Sequence, residues 1–118
     1  MKHNFEITEK LPIEFKKKWV EALRSGKYKQ GKGALHRRNC FCCLGVVCML
    51  FDISPTQLGE AGYIQNRDDK YTVDADVSMI PDLIKGDNIE NEIVTFISNS
   101  NDSGSTFEEI ADWIEINL

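Results

Sequence analysis

From Phe41 to Phe51 the chain runs through eleven positions without a charged residue or any polar side chain other than cysteine. A helix that is apolar around its whole circumference has no face to offer to water, so other parts of the same fold must surround it. The run is too short to cross a bilayer. Its length, and the presence of only two β-branched residues (Val46 and Val47), favour a helix over a strand. The sequence thus predicts a buried central helix beginning near Cys42-Cys43-Leu44-Gly45, with the remaining residues as its wrapping.

That wrapping is legible in part. Pro12 suits the first position of a helix, where its missing N–H has no consequence. Phe15, Trp19, Val20 and Leu23 share one face at helical spacing, and Gly26 is placed to close the helix in a left-handed conformation. At the other end Asn101-Asp102-Ser103-Gly104 reads as a turn, and Ser105 with Glu108 as a capping box. Phe107, Ala111, Ile114 and Leu118 then line one face, widened by Ile110 and Trp113. Between these ends, Ser54-Pro55 suggests a short helix through Leu58. Tyr63-Ile64-Gln65 and Tyr71-Thr72-Val73 suggest a hairpin around Asn66 to Lys70. Met79 to Ile84 suggests a helical turn, and Glu92 to Ser98, rich in Ile, Val, Thr and Phe, suggests a strand. The expected fold is one α+β domain over residues 1–118: an N-terminal helix, a buried central helix, a small antiparallel sheet and a capped C-terminal helix. A chain of 118 residues with 42% hydrophobic content buries enough surface to stand without disulfide or metal staples.

All four cysteines, Cys40, Cys42, Cys43 and Cys48, fall within nine positions. Disulfide scaffolds spread their cysteines to close long loops, so reduced thiols are expected. Met1 to Lys18 is too often interrupted by charge to hold the apolar core of a signal peptide. Together these point to a cytoplasmic protein with no membrane association. Charge is divided unevenly: residues 1–38 hold eleven Lys/Arg against four Asp/Glu, and residues 39–118 hold three against fifteen. Such a division marks an anion-binding face, two halves of one fold that attract each other, self-association into a homo-oligomer, or simply a solvated basic helix.

Three chemistries are open to these residues. Lys27 to Asn39 combines Gly31 and Gly33 with Lys27, Lys29, Lys32, Arg37 and Arg38. Glycines allow close backbone approach and the cations suit a phosphate, although no Walker pattern is present; an exposed basic turn is the structural alternative. Cys42 or Cys43, at a helix start near Arg37 and Arg38, would have its thiolate favoured, with His3 and His36 the available bases for a thiol enzyme and His36 the nearer in sequence. Packing as small buried hydrophobes is the competing role. A zinc site is disfavoured, because the ligand pairs among His36 and the cysteines nearly overlap. On a helix Cys43 and Cys48 would point about 140° apart. Nucleic-acid binding is also disfavoured by the acidic total and the lack of a recognised binding signature.

Three stretches resemble a family of small bacteriophage and prophage proteins. They are Trp19-Val20-Glu21-Ala22-Leu23-Arg24-Ser25-Gly26-Lys27-Tyr28-Lys29-Gln30 with Gly31, Gly33 and Leu35; Cys42-Cys43-Leu44-Gly45-Val46-Val47-Cys48; and Asn101-Asp102-Ser103-Gly104 with Phe107 and Ile110-Ala111-Asp112-Trp113-Ile114-Glu115. The resemblance implies an accessory protein of uncharacterised function in a host-takeover or counter-defence setting, and transfers no catalytic residue. Joined to the basic glycine-containing segment, it leads to the expectation of a non-enzymatic binding module without cofactor or metal. Such a module would sequester a nucleotide-type anionic signal or a host protein. Lys29, Gln30, Lys32, Arg37 and Arg38 would hold the anionic groups, with Asn101, Asp102 and Ser103 supplying polar contacts at the start of the last helix. The alternative expectation is a thiol-dependent enzyme using Cys42 or Cys43 with His36.

Overall fold

A central helix enclosed by its neighbours organises the protein, as seen in a computed structural model that describes residues 1–7, 10–52, 63–65, 71–73 and 91–118. The order of elements is α1 (Ile13–Arg24), β1 (Lys29–Gln30), β2 (His36–Arg37), β3 (Cys40–Phe41), α2 (Cys43–Leu50), β4 (Tyr63–Gln65), β5 (Tyr71–Val73), α3 (Asn91–Asp102) and α4 (Phe107–Asn117). The fold is α+β. Its strands form a three-stranded sheet, β1-β3-β2, and the β4-β5 pair.

Helix α2 is the apolar run, trimmed at both ends. Cys43 to Cys48 are all buried, whereas Phe41 belongs to β3 and Phe51, past the helix end, is 45% exposed. Helix α1 packs on it through Trp19, Val20 and Leu23, with Phe15 half-buried beside them. The Trp19 indole N–H donates to the Cys43 carbonyl at 3.1 Å, so the largest core side chain also satisfies its one polar atom. Pro12 stands just before α1 as its N-cap residue rather than inside it. Gly26 has the left-handed φ of 75° that closing the helix requires.

Gly45 has a different reason to be glycine. A Cβ added there would lie 1.9 Å from the Leu35 carbonyl oxygen. The backbone of Leu35, itself fully buried, therefore lies directly against α2, a distance that any other residue would forbid. This contact seats the segment between β1 and β2 on the core.

The segment from Glu92 to Ser98 is helical, correcting the strand expected from its β-branched residues. Ile93, Ile97, Ser98 and Asn101 are buried, a helical spacing that buries one side of α3 and overrides strand propensity. The end of α3 also shifts the expected turn, since Asn101 and Asp102 form its last residues and only Ser103 and Gly104 turn. Gly104 N–H bonds to Asn101 O and Ser105 N–H to Ser100 O, closing the helix on a glycine with φ 110°. Because Ser105 is engaged there, the capping box of α4 falls one residue later than expected. Glu109 N–H bonds to Thr106 Oγ1 and Thr106 N–H to Glu109 Oε1, both at 3.1 Å. The face expected of α4 is buried: Phe107, Ile110, Ala111, Trp113 and Ile114, with Leu118 beyond it. Ahead of α1, Phe5 and His3 pack on Phe96 and Trp113, and the Trp113 indole donates to His3 Nδ1 at 3.2 Å.

The hairpin expected from the sequence is present as β4 and β5, antiparallel with Tyr63 opposite Val73 and Gln65 opposite Tyr71. Part of the basic segment of residues 27–39 enters the β1-β3-β2 sheet with its cations exposed, and the sheet is mixed: β1 is parallel to β3, and β2 antiparallel. The turn residues Asn66 to Lys70, the short helix expected at Ser54-Pro55 and the helical turn expected from Met79 to Ile84 lie outside the described residues.

Gly45→Ala and Gly26→Ala separate the two roles of glycine. Overlap with backbone at position 45 is expected to lower stability by about 3 kcal/mol. The left-handed position 26, where nothing lies within 4 Å of an added Cβ, is expected to lose only about 1 kcal/mol. Urea denaturation of both variants measures the difference, and equal losses would contradict the close approach of Leu35.

Candidate functional site

Cross-strand register sorts the basic segment into two faces. Cys40 of the central strand is opposite both Lys29 and Arg37, and Phe41 is opposite both Gln30 and His36. Residues at one level of a sheet point to the same side, and successive residues to opposite sides. Lys29, Cys40 and Arg37 therefore share the outer face, where both cations are exposed and the thiol is half-buried. Gln30, Phe41 and His36 share the inner face, with the His36 and Phe41 rings 4.9 Å apart. Gly31, two residues after Lys29, keeps the outer face open, because a Cβ there would meet Cys40 Cβ at 2.7 Å. Arg38 and Asn39 form the two-residue turn between β2 and β3, with φ 51° and 64°. Positive φ at both positions is what a tight hairpin of this hand requires.

Beneath that face, three residues expected to touch a ligand are engaged within the protein. The Gln30 Nε2 amide donates to Asn101 Oδ1 and to the Ser105 carbonyl, each at 2.8 Å. Gln30 Oε1 accepts from Phe107 N–H at 3.1 Å, satisfying a donor that the first turn of α4 leaves unpaired. Asn101, fully buried, donates to the Gly31 carbonyl at 2.9 Å. Asp102 Oδ1 accepts from Gly33 N–H at 2.9 Å and from the Asn101 amide at 3.2 Å. These bonds lock the Gln30–Gly33 strand and loop to the corner between α3 and α4. Ser103 is exposed at that corner, its N–H bonded to Asn99 O. Lys32 Nζ lies 3.9 Å from where a Cβ on Gly104 would stand. The eight expected ligand residues thus divide: Gln30, Asn101 and Asp102 are frame, while Lys29, Lys32, Arg37, Arg38 and Ser103 are exposed.

The thiols at the start of α2 are enclosed. Cys42 caps the helix without a side-chain hydrogen bond to it, and both Cys42 and Cys43 are buried. Cys43 Sγ approaches the Ile97 carbonyl at 3.9 Å, and burial holds its pKa well above the ordinary thiol value. Burial likewise pushes Cys48 up to about 12. A nucleophile needs the thiolate within reach of substrate, and these surroundings favour the neutral thiol. Among the described residues no three His, Cys, Asp or Glu side chains gather as a metal site. No helix among them is long and apolar enough to cross a membrane.

The sequence carried no sign of the Gln30 and Asn101 roles, because both amides bond to partners about seventy positions away. Gly45 was detectable: a glycine inside a helix that is otherwise fully apolar signals close backbone approach.

Two outcomes test this description. Asn101→Leu removes the bonds to Gln30 and Gly31 and leaves buried polar groups without partners, so urea denaturation is expected to show a loss of about 2–3 kcal/mol. An unchanged midpoint would contradict the lock. A thiol-specific disulfide reagent at neutral pH is expected to modify Cys40 alone in the native protein and all four free cysteines after denaturation. Fast modification of Cys42 or Cys43 would contradict their enclosure. The same burial has a pH signature. Unfolded Cys48 ionises near its ordinary 9.0 and folded Cys48 near 12, so the unfolded state binds fewer protons between these values. Stability therefore falls as pH rises from about 9 towards 12, with a shallower slope in Cys48→Ala.

No curated protein and no solved structure matches the chain. A family model described as a domain of unknown function (DUF8296) matches residues 11–118, and the chain belongs to that family.

Proposed function

We propose that this protein is a non-enzymatic binding module whose outer sheet face takes up a small anionic ligand of nucleotide type. Its setting in this reading is that of a phage-type accessory protein that sequesters a defence signal. The observation that carries the reading is the strand register that sets Lys29 and Arg37 side by side across Cys40. Two strand spacings separate their backbones by about 10 Å, so both long side chains reach a single phosphate group between them. Arg38, at the turn, accepts a left-handed backbone that is unfavourable for a residue with a side chain by about 1 kcal/mol. Next in sequence to Arg37, it adds a third exposed cation at this end of the sheet. Lys32 extends the basic surface toward Gly104. The amide lock beneath holds β1 in place, and cations on an ordered sheet lose less entropy on binding than cations on a free loop.

The thiol-enzyme alternative finds less support. Cys42 and Cys43 are both buried, and the neutral thiol of Cys43 is favoured where it sits.

Native mass spectrometry of the protein alone and with cyclic and ADP-ribose-type nucleotides tests the proposal. The expected result is a complex whose nucleotide is released unchanged on denaturation. A Lys29→Ala, Arg37→Ala, Arg38→Ala triple variant is expected to retain its fold and lose at least about tenfold in affinity, with binding of the native protein weakening as salt rises. A released product of altered mass would support catalysis and overturn the sequestration reading. Capture of a host protein through the same cations, with no nucleotide bound, would overturn the small-ligand assignment.

A further inference from the structure

Residues 1–7 form a strap across the seam between α3 and α4. Burial alternates along it: Met1, His3, Phe5 and Ile7 are half-buried, while Lys2, Asn4 and Glu6 are exposed. A period of two is the pattern of a chain laid extended over a surface, here with one bend at Phe5. Met1, Phe5 and Ile7 pack against the core. Two rings of the strap meet two rings of the seam. His3 stands edge-on to Trp113 at 5.3 Å and Phe5 edge-on to Phe96 at 5.7 Å, and the Phe96 and Trp113 rings are 5.0 Å apart. The Trp113 indole N–H donates to His3 Nδ1.

The strap is held less firmly than the chain that follows it. Among the described residues, its one hydrogen bond to the helices is that of His3, and no backbone group of residues 1–7 pairs with them. No strap side chain is fully buried. At Leu11 the hold tightens: the side chain is buried and the N–H bonds to the Leu118 carbonyl. The family match begins at that same residue, so the strap lies outside it. The seam, in contrast, requires a cover. Phe96 is only half-buried even beneath the strap, and a buried indole N–H such as that of Trp113 needs an acceptor. Lifting the strap uncovers apolar ring surface and leaves that donor unpaired.

We propose that the α3–α4 seam is a docking site for an extended segment of a partner protein, and that residues 1–7 occupy it as an internal mimic. The strap defines the chemistry of that partner. It carries apolar or aromatic side chains at alternate positions, polar ones between them, and a hydrogen-bond acceptor that meets the Trp113 N–H. One face reads only every second side chain of an extended chain, so the polar positions are free to vary. A tethered segment acts at an effective concentration on the order of millimolar. A strap whose own affinity is about tenfold tighter than that covers the seam about nine-tenths of the time. Partner segments then bind about tenfold more weakly than to an open seam, and the strap sets a threshold that weak peptides do not pass. None of the residues assigned to the anionic ligand takes part.

Two measurements test the proposal. In the native protein, the two indole N–H protons are distinguished by hydrogen exchange followed by NMR. Trp19 donates to the Cys43 carbonyl inside the core, so its proton exchanges only on global unfolding. The Trp113 proton exchanges whenever the strap lifts, and is expected to do so at least about tenfold faster. Equal rates would show that the strap does not open, and would overturn the proposal. The second measurement uses a His3→Ser, Phe5→Ser double variant of the full chain, expected to keep the circular dichroism of the native protein. A fluorescein-labelled peptide with the sequence of residues 1–7 is expected to bind this variant at least about tenfold more tightly than it binds the native protein. The same peptide with serine at its third and fifth positions is expected not to bind. A variant that loses its fold makes the strap part of the structure, and a folded variant that ignores the peptide leaves the seam without a partner; either result overturns the proposal. A native dimer abolished by the same two substitutions in sedimentation velocity would assign the seam to the strap of a second copy, and overturns the assignment to a different protein.

Discussion

The side-chain amides of Gln30 and Asn101 join two parts of the protein that are far apart in sequence, and the placing of the strands against the helices depends on that junction. Gln30 donates twice and accepts once, and each partner belongs to the corner where α3 gives way to α4. Asn101 and Asp102 answer from the corner, bonding to the carbonyl of Gly31 and the N–H of Gly33. A buried polar network of this kind is favourable only when its members are satisfied, and it then fixes one arrangement among those a purely apolar interface would allow. Helix α2 supplies no such direction, since it is apolar on every side. It provides burial, and the amides provide register.

The lock works together with Gly45. The loop that leaves Gly33 continues to Leu35, whose backbone lies against α2 where a Cβ has no room. Between these two fixed points the chain turns through the Arg38–Asn39 hairpin and returns as β3, which leads into α2. The β1-β3-β2 sheet is thus held by hydrogen bonds at one end and by packing at the other. This explains how strands of two residues each keep a defined register. It also separates two kinds of residue that look alike in sequence: the polar side chains on the inner side build the frame, and the cations on the outer side are exposed.

How much of this was legible from residues alone follows from the range of each interaction. The buried helix was legible because an unbroken apolar run permits few alternatives. The apolar faces of α1 and α4 were legible from spacing, and Gly26 from its position after Arg24. Helix α3 was not: Ile93, Val94, Thr95 and Ile97 have strand propensity, and only burial against the neighbouring helices decides for a helix. The capping box was misplaced by one residue because Ser105 and Thr106 each stand three residues before a glutamate. Only the three-dimensional closure of α3 removes Ser105 from the choice. Among the candidate ligand residues, Gln30, Asn101 and Asp102 have the same chemistry whether they meet a ligand or a distant backbone. Local sequence holds nothing that distinguishes the two uses, whereas for Lys29 and Arg37 it is the strand register that gives them a common face.

The amide lock that frames the sheet is tested most directly by native-state hydrogen exchange of three amides. Gly33 N–H donates to Asp102, Phe107 N–H to Gln30, and Gly31 N–H to Phe41 O. If the lock is part of the global structure, these protons exchange only when the whole protein unfolds, at the same rate as the slowest amides of α2. Exchange of Gly33 and Phe107 on the timescale of an exposed turn, with α2 still protected, would contradict it.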